Sequence, residues 1–419
     1  MSGLRPRLSD SAWLNDEALQ RILAMLDRDG EEARVVGGAV RNAMIGEPVR
    51  EVDIATTAAP EEIIRRAQAA HLRAIPTGIE HGTVTLLANG IPFEVTTLRE
   101  DVETYGRKAR VAFGRDWQRD AERRDFTINA LSASRDGAVY DYVGGLADLD
   151  ARRLRFIGDP AARIAEDYLR ILRFFRFHAA YGEGAPDAAA LHACIEARDG
   201  LRSLSRERVR MELLKLVVAR RAAEALGVMG DAGLLVTILG GVPYLSSFEK
   251  MAAIEAAVGE EPDAIRRLGA LAIFVSEDAD RLFERLRLSN AEHGRLFAMA
   301  DGWWRNGGDI APQTARALLY RLGAAGYADR VMLSWTRSRD VPDNERRQHL
   351  LALPARWQPP ACPIAAADLM ARGVAKGPAL GAALRRAEAA WIAADFPSDP
   401  ATIAAMADRA AGSSPPDNA

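Results

Sequence analysis

The sequence predicts an α+β chain, with a mixed sheet and helices in about the first 150 residues and helices alone after that. Three observations carry this reading. Short apolar runs at Val35–Val36, 52–55, 83–87 and 93–98 alternate with helix-compatible segments before Asp150. Two of those runs flank Asn89-Gly90, a strong hairpin signal. Beyond Asp150 apolar residues recur at three and four, and Gly or Pro separates the segments.

In order, residues 9–30 form an amphipathic pattern through Trp13, Leu14, Leu19, Ile22, Leu23 and Leu26, with Gly30 past its end. The Val35–Val36 run leads into Gly37-Gly38 and a helix-compatible segment, 39–45, which Gly46 and Pro48 stop. A helix is expected over 60–70, with Pro60 in its first turn and Glu61-Glu62 behind it. Strands 83–87 and 93–98 follow. Residues 99–119 are polar and irregular, the pattern of a mobile loop. Helical spacing resumes over 123–131, and 139–143 reads as a last short strand before Gly144-Gly145. The helical part begins with one long segment, 161–181, then 205–219 with Ser205 as cap. Gly227, Gly233 and Gly240-Gly241 punctuate further helices, 250–419 is Ala-rich and helical, and the closing AGSSPPDNA is expected to be disordered.

The 419 residues exceed one ordinary core, so two to four domains are expected. No apolar run reaches membrane-spanning length, and the N-terminus has no signal-peptide core. Cys194 and Cys362 have no ligand-like spacing, which fits a reduced, cytoplasmic protein without zinc or a disulfide framework. A net charge of −3 requires any nucleic-acid surface to be local, and 151–220 is richer in Arg and Lys than in Asp and Glu. Binding through such a patch would weaken steeply with salt.

The stretch ARVVGGAVRNAMIGEPVREVDIATT carries the first candidates for chemistry. Glu51 and Asp53 sit two apart in its second apolar run, and strand alternation puts such residues on one face. Glu94 lies in FEVTTL, whose Phe93 and Val95 would face the core. Each acid alone could be a solvated strand residue. Three converging carboxylates would repel one another without a cation, and they match a two-Mg²⁺ phosphoryl-transfer site. One ion would activate an attacking 3′-hydroxyl and the other would steady a leaving pyrophosphate. Gly37-Gly38 could be a plain tight turn. With Arg41 one turn into the next helix, it becomes a candidate triphosphate-binding turn. Arg124, Asp125 and Asn129 share a helical face, either as a capped surface helix or as ribose and triphosphate contacts.

Glu166-Asp167, Arg170, Arg173 and Arg176 form the sharpest constellation. Asp167 and Arg170 are i and i+3 on an otherwise apolar helix, and the arginines continue the row. A wet surface ion pair would give the same spacing and contribute a few tenths of a kcal/mol, on the order of what exposed pairs give. The alternative is base recognition. Cytosine and adenine present an amine donor beside a ring-nitrogen acceptor, whereas uracil and guanine present the reverse. An Asp acceptor beside an Arg donor therefore matches C and A, and a wrong edge leaves charges unpaired.

The segments GGAVRNAMIG, EVDIATT, TGIEHGTV, FEVTTLRED, RRDFTINAL, DYVGGLADL, EDYLRILRFFRF and LSRERVRMELLKL, taken together over residues 34–220, resemble the class II tRNA nucleotidyltransferases, the bacterial CCA-adding enzymes. That family belongs to the polymerase-β-like nucleotidyltransferases, which also include bacterial poly(A) polymerases. The resemblance implies a head with an approximately five-stranded mixed sheet (1–150), a base-recognising neck (151–220), a body (221–310) and a tRNA-binding tail (311–419). It implies two Mg²⁺ ions on Glu51, Asp53 and Glu94, and nucleotide contacts at Gly38, Arg41 and Arg124. Asp167 and Arg170 would read the base of incoming CTP or ATP, with Arg173 and Arg176 on the phosphate side. The 99–119 loop falls where the family has a flexible element needed to switch from C to A. The partners implied are the tRNA 3′ end and nucleoside triphosphates, with no membrane and no obligate protein partner.

One position departs from the family pattern. Glu51-Val52-Asp53 stands where the family has D-x-D, and the extra methylene moves a carboxylate by about one C–C bond in a site where about 1 Å can cost on the order of 10²-fold. The alternatives are a poly(A) polymerase, a CC-only or A-only enzyme, or a weakly active RNA-binding relative. Against the first, the chain lacks an Arg-Arg-containing stretch after the second strand and a long basic tail. No His-Asp dyad occurs, so an appended phosphohydrolase is set aside.

Overall fold

The computed structural model describes residues 7–105, 108–306 and 310–412. The chain packs as two units, 1–238 and 239–419. The first contains helices α1 (Glu17–Leu26), α2 (Gly38–Met44), α3 (Pro60–Ala69) and α4 (Trp117–Glu122) among strands β1 (Ala33–Val36), β2 (Asp53–Thr56), β3 (Arg73–Gly78), β4 (Thr83–Ala88), β5 (Ile91–Thr97), β6 (Arg99–Tyr105), β7 (Lys108–Phe113), β8 (Ser132–Ala133) and β9 (Val139–Tyr140). Helices α5 (Gly145–Asp150), α6 (Pro160–Glu166), α7 (Leu169–Tyr181), α8 (Ala188–Glu196), α9 (Arg206–Val217) and α10 (Ala222–Asp231) follow.

All four residues of β1 are buried, which suits a central strand covered on both faces. The sheet order is β3-β4-β5-β2-β1-β8-β9, seven strands where about five were expected; β3 and the two-residue β8 had given no clear alternation. β2 and β5 run parallel, and the other neighbours antiparallel. Asn89 and Gly90 both have positive φ (52° and 80°), as a two-residue type I′ turn requires. Ile22 and Leu23 of α1 and Ile63 of α3 lie fully buried with Val84, Leu86 and Val95, each contributing about 1.5–3 kcal/mol.

Several expected elements differ. The first helix spans 17–26, because Asp16 caps it by accepting from Leu19 N at 3.0 Å, so Trp13 and Leu14 precede it. Residues 99–105 and 108–113 pair as the antiparallel strands β6 and β7, and 117–119 begin α4, so these residues are not an irregular loop. The alternation of Ala109, Val111 and Phe113 was a strand signal masked by surrounding charge, and residues 106–107 lie outside the described ones. Residues 123–131 are not a helix. Asp116 caps α4 earlier, accepting from Gln118 N at 2.9 Å, and only a 3₁₀ turn, Thr127–Asn129, follows. The 161–181 segment breaks into α6 and α7 at Asp167, whose φ of −156° and ψ of 107° are extended. The expected strand 139–143 is reduced to β9. Gly227 sits inside α10, and Ser205 heads α9 without a side-chain cap bond.

Asp148 of α5 anchors the 3₁₀ turn. Its fully buried carboxylate accepts from Thr127 Oγ1 at 2.7 Å, Arg153 Nε at 2.8 Å and Arg155 Nε at 2.8 Å. Burial pushes its pKa up, but these hydrogen bonds outweigh that and hold it below the usual range. The folded value being depressed, the contribution is present at neutral pH and is lost as pH falls through that value. Asp148→Ala is expected to cost about 3 kcal/mol in urea unfolding at pH 7, and less on acidification. A gap constant with pH would contradict this account.

The second unit is helical, including Leu245–Val258, Ala264–Ala272, Ser276–Leu286, Asn290–Ala300, Pro312–Thr336 (two helices joined across a kink at Gly323, φ 68°), Pro378–Ala393 and Pro400–Gly412. Its buried charges are paired: Arg267 Nε donates to Glu255 at 2.6 Å and Arg266 Nε to Asp329 at 2.9 Å. Of the terminal stretch expected to be disordered, 411–412 close the last helix and 413–419 lie outside the described residues. No helix among the described residues is long and apolar enough to cross a membrane.

Candidate active site

The turn between β1 and α2 depends on glycine. Gly37 has φ 69° and ψ −118°, a region that L side chains rarely enter. A Cβ there would also lie 3.3 Å from Arg124 Nη1 and 3.5 Å from the Asn129 carbonyl. Gly38 opens α2, and Gly37 N donates to the Leu131 carbonyl at 2.9 Å.

Asp53 begins β2 and is the parallel register partner of Glu94 on β5, so the two carboxylates share one face, as expected. Both reach solvent, whereas Ile54 and Val95, one step on, are buried. Glu51 is the correction here. It lies before β2, exposed and outside the strand, so strand alternation does not align it with Asp53. Among the described residues no three acidic or metal-ligating side chains gather closely enough to enclose an ion by themselves. Partial desolvation, then the charges of Glu94 and Glu51, raise the pKa of Asp53, and Arg124 pulls it the other way. Two adjacent hard-oxygen donors open to solvent fit Mg²⁺, which keeps waters and takes one or two carboxylates plus substrate phosphates.

Arg124, Asp125 and Asn129 come together without the helix predicted for them. Arg124 Nη1 donates to the Asn129 carbonyl at 3.3 Å, and Asn129 Nδ2 donates to Asp125 Oδ1 at 3.1 Å. Arg41 is buried. It donates to Asn129 Oδ1 and to Tyr181 Oη at 2.6 Å, with its guanidinium 3.9 Å from the Tyr181 ring centroid. Burial lowers its pKa, and Tyr181 opposes that shift. Arg41 thus braces Asn129 from beneath. Burial alone would raise Asp125, but the charge of Arg173 and the bonds from Asn129, Arg173 and Phe126 N hold it low.

At the α6–α7 break, Asp167 and Arg170 do not share a helix face, since Asp167 is extended. Asp167 accepts from Leu169 N at 3.1 Å and from Arg208 Nη2 at 2.5 Å. Arg170 Nη1 donates to the Arg163 carbonyl at 2.6 Å and to Glu166. Arg173 Nε reaches Asp125 at 2.7 Å, tying α7 to the turn after α4, and Arg176 meets buried Glu212 at 2.5 Å.

The reading of the sequence missed Asp120, Tyr181, Arg208 and Glu212. Asp120 is buried and accepts from Arg124 Nη2 at 3.2 Å; its i,i+4 spacing was visible. Tyr181 closes α7, and Arg208 and Glu212 lie on α9 within the LSRERVRMELLKL segment, but no spacing inside either helix points to the partners they meet.

Residues 33–155 match the family described as "Poly A polymerase head domain", and 186–248 match "Probable RNA and SrmB- binding site of polymerase A". The mitochondrial CCA tRNA nucleotidyltransferase 1 of Mus musculus is 34% identical over 385 residues, 90% of this chain and 86% of that protein. The CCA-adding enzyme of Levilactobacillus brevis is 30% identical over 412 residues, 94% of this chain and 98% of that one. The crystal structure of Bacillus stearothermophilus CCA-adding enzyme in complex with CTP superposes with a TM-score of 0.73 at 25% identity, covering 94% of this chain and 96% of that chain. A chain that matches such enzymes over nine-tenths or more of its length, with the same fold, belongs to the CCA-adding enzyme family of tRNA nucleotidyltransferases.

Proposed function

We propose that this chain adds C and A nucleotides, from CTP and ATP, to the 3′ end of tRNA, releasing pyrophosphate. The observation that carries this reading is the parallel register of Asp53 and Glu94 beside the Gly37 turn and Arg124. Asp53 and Glu94, with Glu51 through water or by loop movement, would hold two Mg²⁺ ions. These ions, when bound, supply activation of the 3′-hydroxyl and charge neutralisation at the leaving pyrophosphate.

The remaining work falls to the protein. The Gly37-Gly38 turn lets the triphosphate approach the backbone closely, and Arg124 faces its negative charge. Asp125 and Asn129, braced by Arg41 and Arg173, orient the ribose and triphosphate. Asp167 accepts from the exocyclic amine of C or A while Arg170 donates to the ring nitrogen. Arg176 adds to the positive field on the phosphate side. Functionally, we divide the chain into head 1–150, neck 151–220, body 221–310 and tail 311–419, with the tail contributing to tRNA binding.

The test is addition of labelled CTP and ATP to tRNA lacking its 3′ end as Mg²⁺ is titrated, for the wild type and for Glu51→Asp. Both nucleotides are expected to be incorporated only with the divalent ion. Because Glu51 lies outside the strand, Glu51→Asp is expected to change kcat by less than about tenfold, well under the roughly 10²-fold that misplacing a fixed ligand costs. tRNA binding without incorporation would reject the enzyme reading. A rise of 10²-fold or so in Glu51→Asp would mean that the native glutamate holds the site below its capacity.

A further inference from the structure

The α6–α7 break at Asp167 is followed at once by Tyr168, whose φ of −60° and ψ of −15° already suit α7, and the Tyr168 ring lies against Gly200 in the 3₁₀ turn Arg198–Ser203. A Cβ on Gly200 would come to 2.1 Å from Cδ1, 2.3 Å from Cε1 and 2.4 Å from Cγ of that ring. Real contacts are never so short, so a methyl at position 200 forces the ring out of its present place. Gly200 is not among the glycines with positive φ, so an alanine backbone fits there and the constraint is the close approach alone. On the side of α6 and α8, the ring borders a cavity of about 610 Å³ lined by Asp159, His192, Glu196 and Asp199. A displaced ring therefore has room to move. Its backbone is continuous with Asp167 on one side and with Leu169 and Arg170 on the other. Eight residues beyond Gly200, Arg208 grips the Asp167 carboxylate, so one connecting segment touches the break at two points.

We propose that the Tyr168–Gly200 contact is a positioning and specificity-determining element that sets the orientation of Asp167 and Arg170, and so governs which nucleotide bases are accepted. It rests on the base-reading role given to that pair above. Neither Tyr168 nor Gly200 touches substrate in this reading. They act through the angle of the break.

The test measures kcat/KM for CTP, ATP, UTP and GTP on tRNA lacking its 3′ end, in the wild type, Gly200→Ala and Tyr168→Phe. Gly200→Ala is expected to raise the UTP-to-CTP ratio by about tenfold, a fraction of the roughly 10²-fold that a 1 Å misplacement can cost. Tyr168→Phe keeps the ring and is expected to keep the wild-type ratio. A folded Gly200→Ala protein with an unchanged ratio, or with all four nucleotides lowered equally, overturns the proposal. If Gly200→Ala fails to fold, Tyr168→Ala removes the ring instead of crowding it, and an unchanged ratio there overturns it too. A wild type that does not favour CTP and ATP would remove the base-reading assignment itself. A discriminating wild type with an equally discriminating Gly200→Ala removes only this inference.

Discussion

Asp53→Asn is expected to lower kcat for CTP addition by about 10³-fold while raising the melting temperature of the metal-free protein. The activity term follows from the proposed metal role. Charge stabilisation by a divalent ion is worth several kcal/mol, and about 1.4 kcal/mol is a factor of ten in rate. The stability term has the opposite sign because of what surrounds the side chain. Partial desolvation and the neighbouring Glu94 and Glu51 push its pKa up, so keeping Asp53 ionised at neutral pH costs folding free energy. Asparagine has nearly the same shape without the charge. Thermal unfolding in chelator, beside single-nucleotide addition in Mg²⁺, reads both terms. A variant with wild-type kcat would end the metal assignment. A variant less stable than the wild type would mean that Arg124, not the carboxylates, dominates the local field. The pairing of lost activity with gained stability is characteristic of groups held for function at the expense of the fold.

What the sequence could carry depended on how local the determinant was. The Gly37-Gly38 turn, the Asn89-Gly90 hairpin and the strand bearing Glu94 were legible, because turn chemistry and period-two alternation act over a few residues. Asp53 and Glu94 were matched correctly to one face, since both lie in strands with a buried alternate set. Failures came where a side chain overrides periodicity. Asp116 caps a helix six residues before the predicted one, leaving Arg124 to Asn129 as a turn fixed by Asp148 from another helix. At Asp167 the apolar spacing ran unbroken across a residue that leaves the helix to meet Arg208 forty-one positions later. Spacing put Arg41 one turn into the helix after Gly37-Gly38, as a candidate for triphosphate binding. Only the packing of Tyr181 against it reveals a buried brace.

Arg170→Ala is expected to lower kcat/KM for both CTP and ATP by about 10²-fold, with a much smaller change for UTP and GTP. A hydrogen bond to a charged group contributes about 1.5–3 kcal/mol, and about 1.4 kcal/mol is a factor of ten. C and A lose that bond at the ring nitrogen, whereas U and G presented a donor there and lose only a clash. The fold should tolerate the change. Arg170 bonds to Glu166 and to the Arg163 carbonyl, and Glu166 has a second partner in Arg163, whose Nη1 donates to it at 2.9 Å and is not touched by the truncation. Arg170→Lys separates charge from geometry. It keeps the positive charge but loses the planar fork, so an intermediate rate with weakened discrimination is expected if the guanidinium shape reads the base edge. Four nucleotides reduced in parallel would instead place Arg170 on the phosphate, where every triphosphate looks alike. Selection of C and A would then have to come from the nucleic acid itself.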